Sequence, residues 1–403
     1  MNTISETGHT VKQEKLAILM LLLAQVVHVV DFVIMMPLGP KLMRLLTISP
    51  AQFGVLVSAY TFSAGIFSFL GSAFMDRFER KYILLVLYTG FVVGTFFCGF
   101  ATSYETLLFA RIVAGGFGGI MGATVLAMVG DYVPAYRRGT AMGIILSAFP
   151  IASVLGVPVG LHLANQYNWQ TPFLFLGALS TLFLIICGFV LPKVNNQVEA
   201  GNGGFGIYKK ILLNSYYLNA MLFIQLLMFS IFFVIPFISP YTVKNLGVTE
   251  NQLPIIYLFS GSLTFFTSRW LGKMADKYTP IRVFKRVLLL SLIPIILITH
   301  LTNLPFWVVV LVTCCFMSIV SGRNVPGITL VLSMIPNNIR GSFMTISSSF
   351  QQFSVGLATF LAGTILSENA DGKLLNYRYC GYISVFISLL AFVMALKLIK
   401  KKL

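Results

Sequence analysis

Long hydrophobic runs separated by short polar segments dominate the chain. A helix needs about 20 apolar residues to cross the roughly 30 Å hydrocarbon core of a bilayer. Twelve runs of this length are present, at 16–43, 51–74, 82–103, 105–131, 139–166, 169–191, 211–240, 251–272, 281–302, 304–335, 341–367 and 376–398. The pattern predicts an all-α membrane protein with twelve transmembrane helices, called spans 1 to 12 below.

One polar interruption is much longer than the others. Residues 192–210 are rich in Gly and Asn, which is typical of a flexible linker. We therefore predict an N-terminal six-helix half at 1–191, a cytoplasmic linker at 192–210 and a C-terminal six-helix half at 211–403.

Charged residues make up only 10% of the 403 residues, whereas soluble domains average about 25%. So few charges cannot cover the surface of a soluble protein, and this excludes a cytosolic enzyme, a disordered chain and a secreted disulfide scaffold. The net charge is +16, but the basic residues lie in short groups between spans rather than in a stripe suited to nucleic acid. The lipid bilayer, and not a nucleic acid, is the expected partner.

The distribution of Lys and Arg predicts the topology. Twenty of the 28 lie at the side that carries both termini, five lie at the opposite side and three lie within spans. Because cytoplasmic loops carry the excess of basic residues, both termini are expected in the cytoplasm. We expect a multi-pass protein of a bacterial inner membrane.

The sequence offers no sign of a cofactor or a catalytic centre. Its five Cys and four His are scattered without the spacing of metal ligands, and motifs of hydrolases, metalloproteases and phosphate-binding loops are absent from it. We expect no metal, no cofactor and no enzymatic activity. A receptor is disfavoured because a sizeable soluble output domain is missing.

The two halves repeat at an offset of about 200 residues. Pro134, Arg138 and Met142 recur as Pro336, Arg340 and Met344 at an offset of 202. In the loops after spans 2 and 8, an Asp followed by a basic residue recurs at an offset of 200. Repeated six-helix halves are typical of secondary transporters, which bind substrate between them.

The loop after span 2 carries a family resemblance. Residues 72–81 read Ser-Ala-Phe-Met-Asp-Arg-Phe-Glu-Arg-Lys, which is similar to the signature G-x-L-a-D-R-x-G-R-R, with Ser72 and Glu79 in place of glycines. The chain thus resembles the major facilitator superfamily over nearly its whole length. The resemblance implies twelve helices in two pseudo-repeated halves, a small-molecule substrate and alternating access. A monomer is expected.

The same resemblance assigns a gating role to the cytoplasmic loops. In that family, the Asp of this loop caps a neighbouring helix and the Arg pairs with an acidic residue. These contacts lock one conformation of the transporter. The alternative is that the basic residues only set the topology. The gating residues implied here are Asp76, Arg77, Arg80, Asp131, Arg138, Asp276, Lys277 and Arg340.

Two glycine-containing segments add to the resemblance. In span 4, the glycines that follow Arg111 share one helix face and favour close helix packing. In span 5, Gly156, Pro158 and Gly160 look like part of the antiporter motif of drug:proton exporters. The equivalent segment of span 11 has no proline, so of these two spans only span 5 is expected to bend. The alternative is an ordinary proline kink.

Charges inside the bilayer are costly and mark candidate sites. At 1.5 Å per residue, Asp31 of span 1 lies about 8 Å and Arg111 of span 4 about 9 Å from the edge opposite the termini. Matching depths predict that the two side chains pair or compete. His28 precedes Asp31 by three residues and shares its helix face.

Three interpretations of the group formed by Asp31, Arg111 and His28 remain open. Asp31 carries the coupled proton, or it forms a static pair with Arg111, or it recognises substrate without protons. His28 relays the proton, hydrogen-bonds Asp31 or only packs. In span 10, Arg323 is a candidate for an anionic substrate group, and Asn324 and Gln225 add hydrogen bonds.

Together these features predict a secondary transporter driven by protons. An antiporter that exports a small solute is the leading hypothesis, because of the segment in span 5. A proton-coupled importer of a nutrient, such as an amino acid, a nucleoside or a siderophore, is the alternative.

Overall fold

The structure, a computed structural model, describes residues 11–71, 79–192, 210–302 and 304–400. The first six spans are Val11–Ile34 with the short helix Gly39–Leu45, Pro50–Gly71, Arg80–Phe100, Tyr104–Tyr132, the segmented span 5 from Arg138 to Gln166, and Thr171–Val190. The last six are Ser215–Phe232 with Ile238–Leu246, Leu253–Lys277, Pro280–Thr299, Phe306–Gly322 with Asn324–Leu332, Asn337–Ile365, and Tyr377–Lys400. The predicted all-α fold with twelve spans is confirmed.

The twelve spans are not equally apolar. Nine helices of the described residues are long and apolar enough to cross a membrane by length and composition, and the more polar spans 8, 9 and 11 are not among them. Span 9 begins with three basic residues in its first two turns. Span 8 is interrupted by Ser and Thr, and span 11 by Ser, Thr and Gln. Polar residues of this kind are tolerated in a span when neighbouring helices cover them.

Local sequence signals account for several helix ends. Ser103 begins span 4 with a capping box, in which its side chain accepts a hydrogen bond from the Thr106 backbone N–H. Asn214 caps span 7 in a similar way through the Tyr216 N–H. Gly247 ends the helix Ile238–Leu246 in the left-handed region, with φ of 69°, where a side chain would be strained.

Helix contacts divide the chain into two compact units. One comprises residues 1–34 and 59–202, and the other comprises 35–58 and 203–403. Residues 35–58, which follow the first helix of span 1 and include the start of span 2, thus group with the second half of the chain. We call these parts the far ends of spans 1 and 2, because they lie opposite the termini. Each unit has its own hydrophobic core. The linker predicted at 192–210 lies almost entirely outside the described residues, and the predicted domain limits stay a prediction.

A short β-hairpin closes the loop between spans 11 and 12. Strands β1, Ser367–Glu368, and β2, Leu374–Leu375, pair in antiparallel register. The Asn245 side chain binds the backbone of Leu374 on both sides, donating to its carbonyl oxygen at 2.8 Å and accepting from its N–H at 3.0 Å. This clamp fixes the hairpin against the helix that follows span 7.

Backbone contact between spans 3 and 4 depends on a glycine. A Cβ atom at Gly94 would lie 2.6 Å from the backbone nitrogen of Ala114 and 2.7 Å from its Cα, so no larger residue fits without moving one helix. In lipid the hydrophobic effect does not favour contact between helices. Close van der Waals packing of this kind drives their association instead.

We expect Gly94→Val to lower the thermal stability of the purified protein, because the added side chain forces the two helices apart. The loss should be about 1–3 kcal/mol, the usual cost of overpacking. Gly188→Val in span 6 is the matched control, since nothing lies within 4 Å of the added Cβ there. Melting curves in detergent that shift equally for both variants would contradict this account.

Candidate functional site

Asp31 and Arg111 form an ion pair inside the first unit. Arg111 Nη1 donates to Asp31 Oδ2 at 2.9 Å and to the Asp31 backbone oxygen at 3.2 Å. Both side chains are fully buried. The structure therefore brings together the two residues that the sequence placed at equal depth, and the pair joins span 1 to span 4.

Spans 2 and 3 complete the surroundings of this pair. Thr95 donates to Asp31 Oδ1 at 3.4 Å, and the Arg111 guanidinium lies 4.2 Å from the ring centroid of Tyr60. Cys98, also buried, lies close enough to interact electrostatically with both charged groups. Sequence reasoning missed Tyr60 and Thr95, because a tyrosine or threonine in an apolar run gives no signal of its own.

His28 lies beside the pair without bonding to it. Its ring stacks near Tyr60 at a centroid distance of 6.2 Å and meets Phe91 edge-on at 5.8 Å. Both ring nitrogens are buried and have no hydrogen-bond partner among the described residues. The expected hydrogen bond between His28 and Asp31 is therefore not formed, which leaves the relay and packing readings.

Span 5 is irregular where the Gly-Val-Pro-Val-Gly segment begins. A π-helical turn, Ala152–Gly156, interrupts the helix directly before Pro158, whereas span 11 runs unbroken. A Cβ at Gly156 would overlap Val30, and one at Gly160 would lie 2.7 Å from Ile34. The segment therefore packs on the part of span 1 that contains Asp31.

Arg323 is buried in the second unit, at the break between the two helices of span 10. Its guanidinium donates to three serine hydroxyls on spans 9, 12 and 7, each at 2.9 Å: Ser291, Ser388 and Ser230. Within the described residues no ion pair involves Arg323, and its Nε has no hydrogen-bond partner. The serines supply oxygen lone pairs but no negative charge.

The two predicted hydrogen-bonding neighbours lie in different surroundings. Gln225 donates to the Ser347 backbone oxygen at 3.3 Å and accepts from Ser354 at 3.4 Å, which joins span 7 to span 11. The side-chain oxygen of Asn324 is buried and has no partner in the described part of the chain. Asn324 thus has a free acceptor, and Gln225 is engaged in packing.

Two arginines of the predicted gating group make equivalent contacts in the two halves. Arg138 Nε donates to the Val133 backbone oxygen at 3.0 Å, and Arg340 Nη2 donates to the Ile335 oxygen at 3.3 Å. Donor and acceptor are both shifted by 202 residues, as in the sequence repeat. Each arginine satisfies a carbonyl just beyond the end of span 4 or span 10, where a cation also complements the helix dipole.

The remaining gating residues are only partly described. Asp76 and Arg77 lie outside the described residues, and so does the side chain of Asp131. Arg80 is the first residue of span 3. Asp276 and Lys277 are exposed at the end of span 8.

A further ion-pair group lies at the opposite end of the spans from the termini, within the second unit. Arg44 donates to both carboxylate oxygens of Glu250, at 2.6 and 3.3 Å, and Lys41 lies 3.9 Å from the same carboxylate. Lys244 pairs with Glu368 of the hairpin at 2.6 Å. A cavity of about 820 Å³ is bordered by four of these residues, Arg44, Lys244, Glu250 and Glu368. Sequence reasoning missed the group because the paired residues lie more than 100 residues apart.

Near this end of the protein, spans 2 and 11 touch through glycines. A Cβ at Gly54 of span 2 would lie 3.2 Å from the Cα of Gly363 in span 11, and 3.1 Å from the Thr359 backbone oxygen. The far end of span 2 is thus in backbone contact with span 11.

We expect Asp31→Asn to destabilise the fold, because it leaves Arg111 buried without a counter-charge. Breaking a buried pair costs about 3–5 kcal/mol. Thermal melting in detergent measures the loss. Replacing both partners, Asp31→Asn with Arg111→Gln, should recover part of the stability, since neither charge then remains.

The matched control is Glu105→Gln, which neutralises an exposed carboxylate in the first turn of span 4. We expect its melting temperature to stay close to that of the wild type. A double variant less stable than Asp31→Asn alone would argue against the observed pair as the cause.

Comparison with known proteins identifies the same architecture. A family model described as Major Facilitator Superfamily matches residues 21–359. Similar curated proteins include an uncharacterized MFS-type transporter, YceJ, of Bacillus subtilis, 32% identical over 41% of this chain and 42% of that one. A vacuolar membrane amino acid uptake transporter of Schizosaccharomyces pombe is 39% identical over 35% of this chain and 24% of that one. These first matches therefore span less than half of each relative.

A more extensive match is to multidrug resistance protein 2 of Bacillus subtilis, 22% identical over 93% of this chain and 94% of the relative. Among solved structures, a bacterial homologue of the human lysosomal transporter Spinster superposes with a TM-score of 0.75 at 15% identity, covering 97% of this chain and 98% of that one. That likeness establishes the fold. Efflux and uptake transporters both occur among the relatives.

Proposed function

The chain belongs to the major facilitator superfamily, and we propose that this transporter exports a small solute across the cytoplasmic membrane in exchange for protons. Members of the family are transporters and not enzymes, so the protein is a multi-pass membrane transporter. Exchange, export and proton coupling are our proposal. We also propose that the protein acts as a monomer with both termini in the cytoplasm.

The buried pair of Asp31 and Arg111 is the observation that carries the proposal. An aspartate inside a bilayer is costly unless paired, and protonation removes its charge. A proton on Asp31 therefore removes the counter-charge of the Arg111 guanidinium, which keeps only the Tyr60 ring and the Asp31 backbone oxygen as uncharged partners. The paired and protonated forms favour different packing of spans 1 and 4, which is how a proton can bias a two-state equilibrium.

The irregular span 5 supports an antiporter. Its π-helical turn and its two glycines, Gly156 and Gly160, pack on Val30 and Ile34, on either side of Asp31 along span 1. A movement of span 1 after protonation is transmitted to span 5 through these contacts. Single π turns are frequent at functional sites.

Arg323 and Asn324 are our candidates for substrate contacts in the second half. Arg323 Nε and the Asn324 side-chain oxygen are both buried without a partner in the described residues. A donor and an acceptor on consecutive residues suit a polar or anionic group of the solute. Gln225 holds spans 7 and 11 together.

The alternative function is proton-coupled import of a nutrient. The similarity to a relative named as an amino acid uptake transporter favours it, although that match covers a minority of both chains. The same Asp31 chemistry serves either direction, because only the order of proton and solute binding differs.

Gating is proposed at both ends of the spans. On the cytoplasmic side, we propose that Asp76, Arg77, Arg80, Asp131, Arg138, Asp276, Lys277 and Arg340 act together in the loops after spans 2, 4, 8 and 10. On the outer side, we propose that the contact of Arg44 with Glu250 closes access and must open in each cycle.

The transport test uses the purified protein in liposomes. With an imposed pH gradient and a pH-sensitive dye, solutes are screened for proton movement. We expect Asp31→Asn to abolish pH-driven flux of a solute found in this way while solute exchange without a gradient continues, because Asn cannot take up a proton. Both rates are compared per folded molecule, since the substitution also lowers stability. Asp31→Glu, which keeps the acid, should retain measurable coupling.

Full gradient-driven transport by Asp31→Asn would overturn the assignment of proton coupling to Asp31. Direction is decided in cells. Higher accumulation of the solute on overproduction would establish import in place of export.

The outer gate is tested by cysteine labelling. Thr359→Cys, in a background without the five native cysteines, places a thiol at a fully buried position beside Gly54. We expect Arg44→Glu to increase labelling by a membrane-impermeant maleimide about two- to fivefold, the equivalent of up to about 1 kcal/mol for a partly exposed ion pair. The charge exchange Arg44→Glu with Glu250→Arg should restore protection.

Lys373→Glu provides the control, because it makes the same charge change in the exposed hairpin loop at this end of the protein. Equal labelling in Arg44→Glu and Lys373→Glu would show that local charge, rather than the pair, governs access.

A further inference from the structure

Span 1 carries a polar stripe that leads to Asp31. Gln25, His28 and Asp31 follow at intervals of three residues, which places them on one helix face over about 9 Å. Gln25 is partly exposed, whereas His28 is 8% exposed and Asp31 is fully buried. The exposure of the side chains therefore falls from Gln25 to Asp31, as expected of a proton path that opens near Gln25.

Four polar atoms along this path lack a hydrogen-bond partner among the described residues. The side-chain oxygen of Gln25, both ring nitrogens of His28 and the hydroxyl of Tyr60 are all buried without a hydrogen bond among the described residues. Buried polar groups are almost always hydrogen-bonded, and an orphaned one costs about 1–3 kcal/mol. Four orphaned atoms in one place point to water as their shared partner.

Glycines of span 4 face these groups. The Cβ position at Gly118 lies 2.8 Å from the Tyr60 hydroxyl and 3.1 Å from His28 Nε2. The Cβ position at Gly122 lies 3.7 Å from both Gln25 Oε1 and His28 Nδ1. The orphaned atoms therefore converge on one glycine face, and Tyr60 and His28 Nε2 are at most about 6 Å apart, a gap that one or two water molecules bridge.

We propose that Gln25, His28 and Tyr60 hold a short chain of water molecules along the face of Gly118 and Gly122, and that the proton carried by Asp31 leaves through it toward the cytoplasmic end of span 1. This proposal rests on proton coupling at Asp31. The protonated Asp31 carboxyl gives its proton to the water chain, one ring nitrogen of His28 takes up a proton from that chain, and the opposite nitrogen releases its own proton to water on the Gln25 side. Asp31 is left as the carboxylate that pairs with Arg111, and no other reactant is consumed.

The direction follows from the ends of the stripe. Gln25 is six residues closer than Asp31 to the N-terminal end of span 1, the end proposed to face the cytoplasm. In the other direction, residues 32–38 of the chain contain no polar side chain, and Phe32 stacks on Tyr60 at 5.5 Å. The charged or titratable groups around Asp31 are His28, Tyr60, Cys98 and Arg111.

The experiment removes single polar groups and keeps shape. Tyr60→Phe and Gln25→Met are reconstituted with a pH dye, and proton flux and gradient-free solute exchange are measured separately. We expect proton-driven flux to fall about tenfold in each, the equivalent of one hydrogen bond of about 1.4 kcal/mol, with solute exchange and its KM unchanged. His28→Met should fall further, and His28→Gln, which keeps a donor and an acceptor, should recover part of the rate.

Tyr88→Phe is the control, since it removes a hydroxyl from an equally buried tyrosine on span 3 that lies off the stripe. Its flux should equal that of the wild type. All variants should melt within a few degrees of the wild type. The solvent deuterium effect on flux should be weaker in Tyr60→Phe than in the wild type, because proton transfer no longer passes through ordered water there.

The outcomes separate the two proposals. If Asp31→Asn abolishes pH-driven flux while Tyr60→Phe, Gln25→Met and His28→Met all behave as the wild type, the water path is wrong and the role of Asp31 stands. If these variants raise the KM for solute instead of slowing proton flux, the orphaned groups bind the solute and the path is overturned. If Asp31→Asn retains full coupling, the proposed function itself fails.

Discussion

A charge in the interior of a bilayer must be matched, and the buried contact of Arg111 with Asp31 is where the first half of this protein depends on that constraint. The arginine reaches across from span 4 to span 1 and lies over the ring of Tyr60 of span 2, and Thr95 of span 3 donates to the Asp31 carboxylate. Four helices of one unit thus meet at a single ion pair. In the proposed mechanism this tie is also the switch, because one proton on the carboxylate removes its negative charge.

The second half resolves the same constraint differently. Arg323 is as deeply buried as Arg111, but its partners are hydroxyls of three serines instead of a carboxylate. Ser230 lies 199 residues after Asp31, close to the offset of the sequence repeat. The two halves thus place an arginine of the fourth helix against the first helix of the half, and within the described residues only the first half supplies an acid as its partner. This difference explains why proton coupling is proposed there, and why the second half is proposed to hold a polar part of the solute.

Short-range and long-range information contributed unequally to the site. Matching helix depths were enough to pair Asp31 with Arg111, since distance along a helix is proportional to residue number. Tyr60 and Thr95 were not predictable, because their importance comes from which face of spans 2 and 3 meets the pair. The same holds for Arg44 and Glu250, whose contact joins segments 206 residues apart. The glycines of span 4 were correctly read as packing residues, yet the structure adds that Gly118 and Gly122 leave room for His28.

The sequence by itself determined the twelve helices, their repeat in two halves and the family. The bilayer requires each helix to have a minimum hydrophobic length, and both this length and the loop motifs are properties of short segments of the sequence. The sequence also located the few charges that the bilayer does not tolerate alone. Only the tertiary structure decided which polar groups those charges meet, that His28 makes no bond to Asp31, and that the far ends of spans 1 and 2 group with the second half of the chain. The reason is physical: helix formation in lipid depends on each segment separately, whereas burial, orphaned polar atoms and ion pairs depend on the rotation and contact of helices that are far apart in sequence.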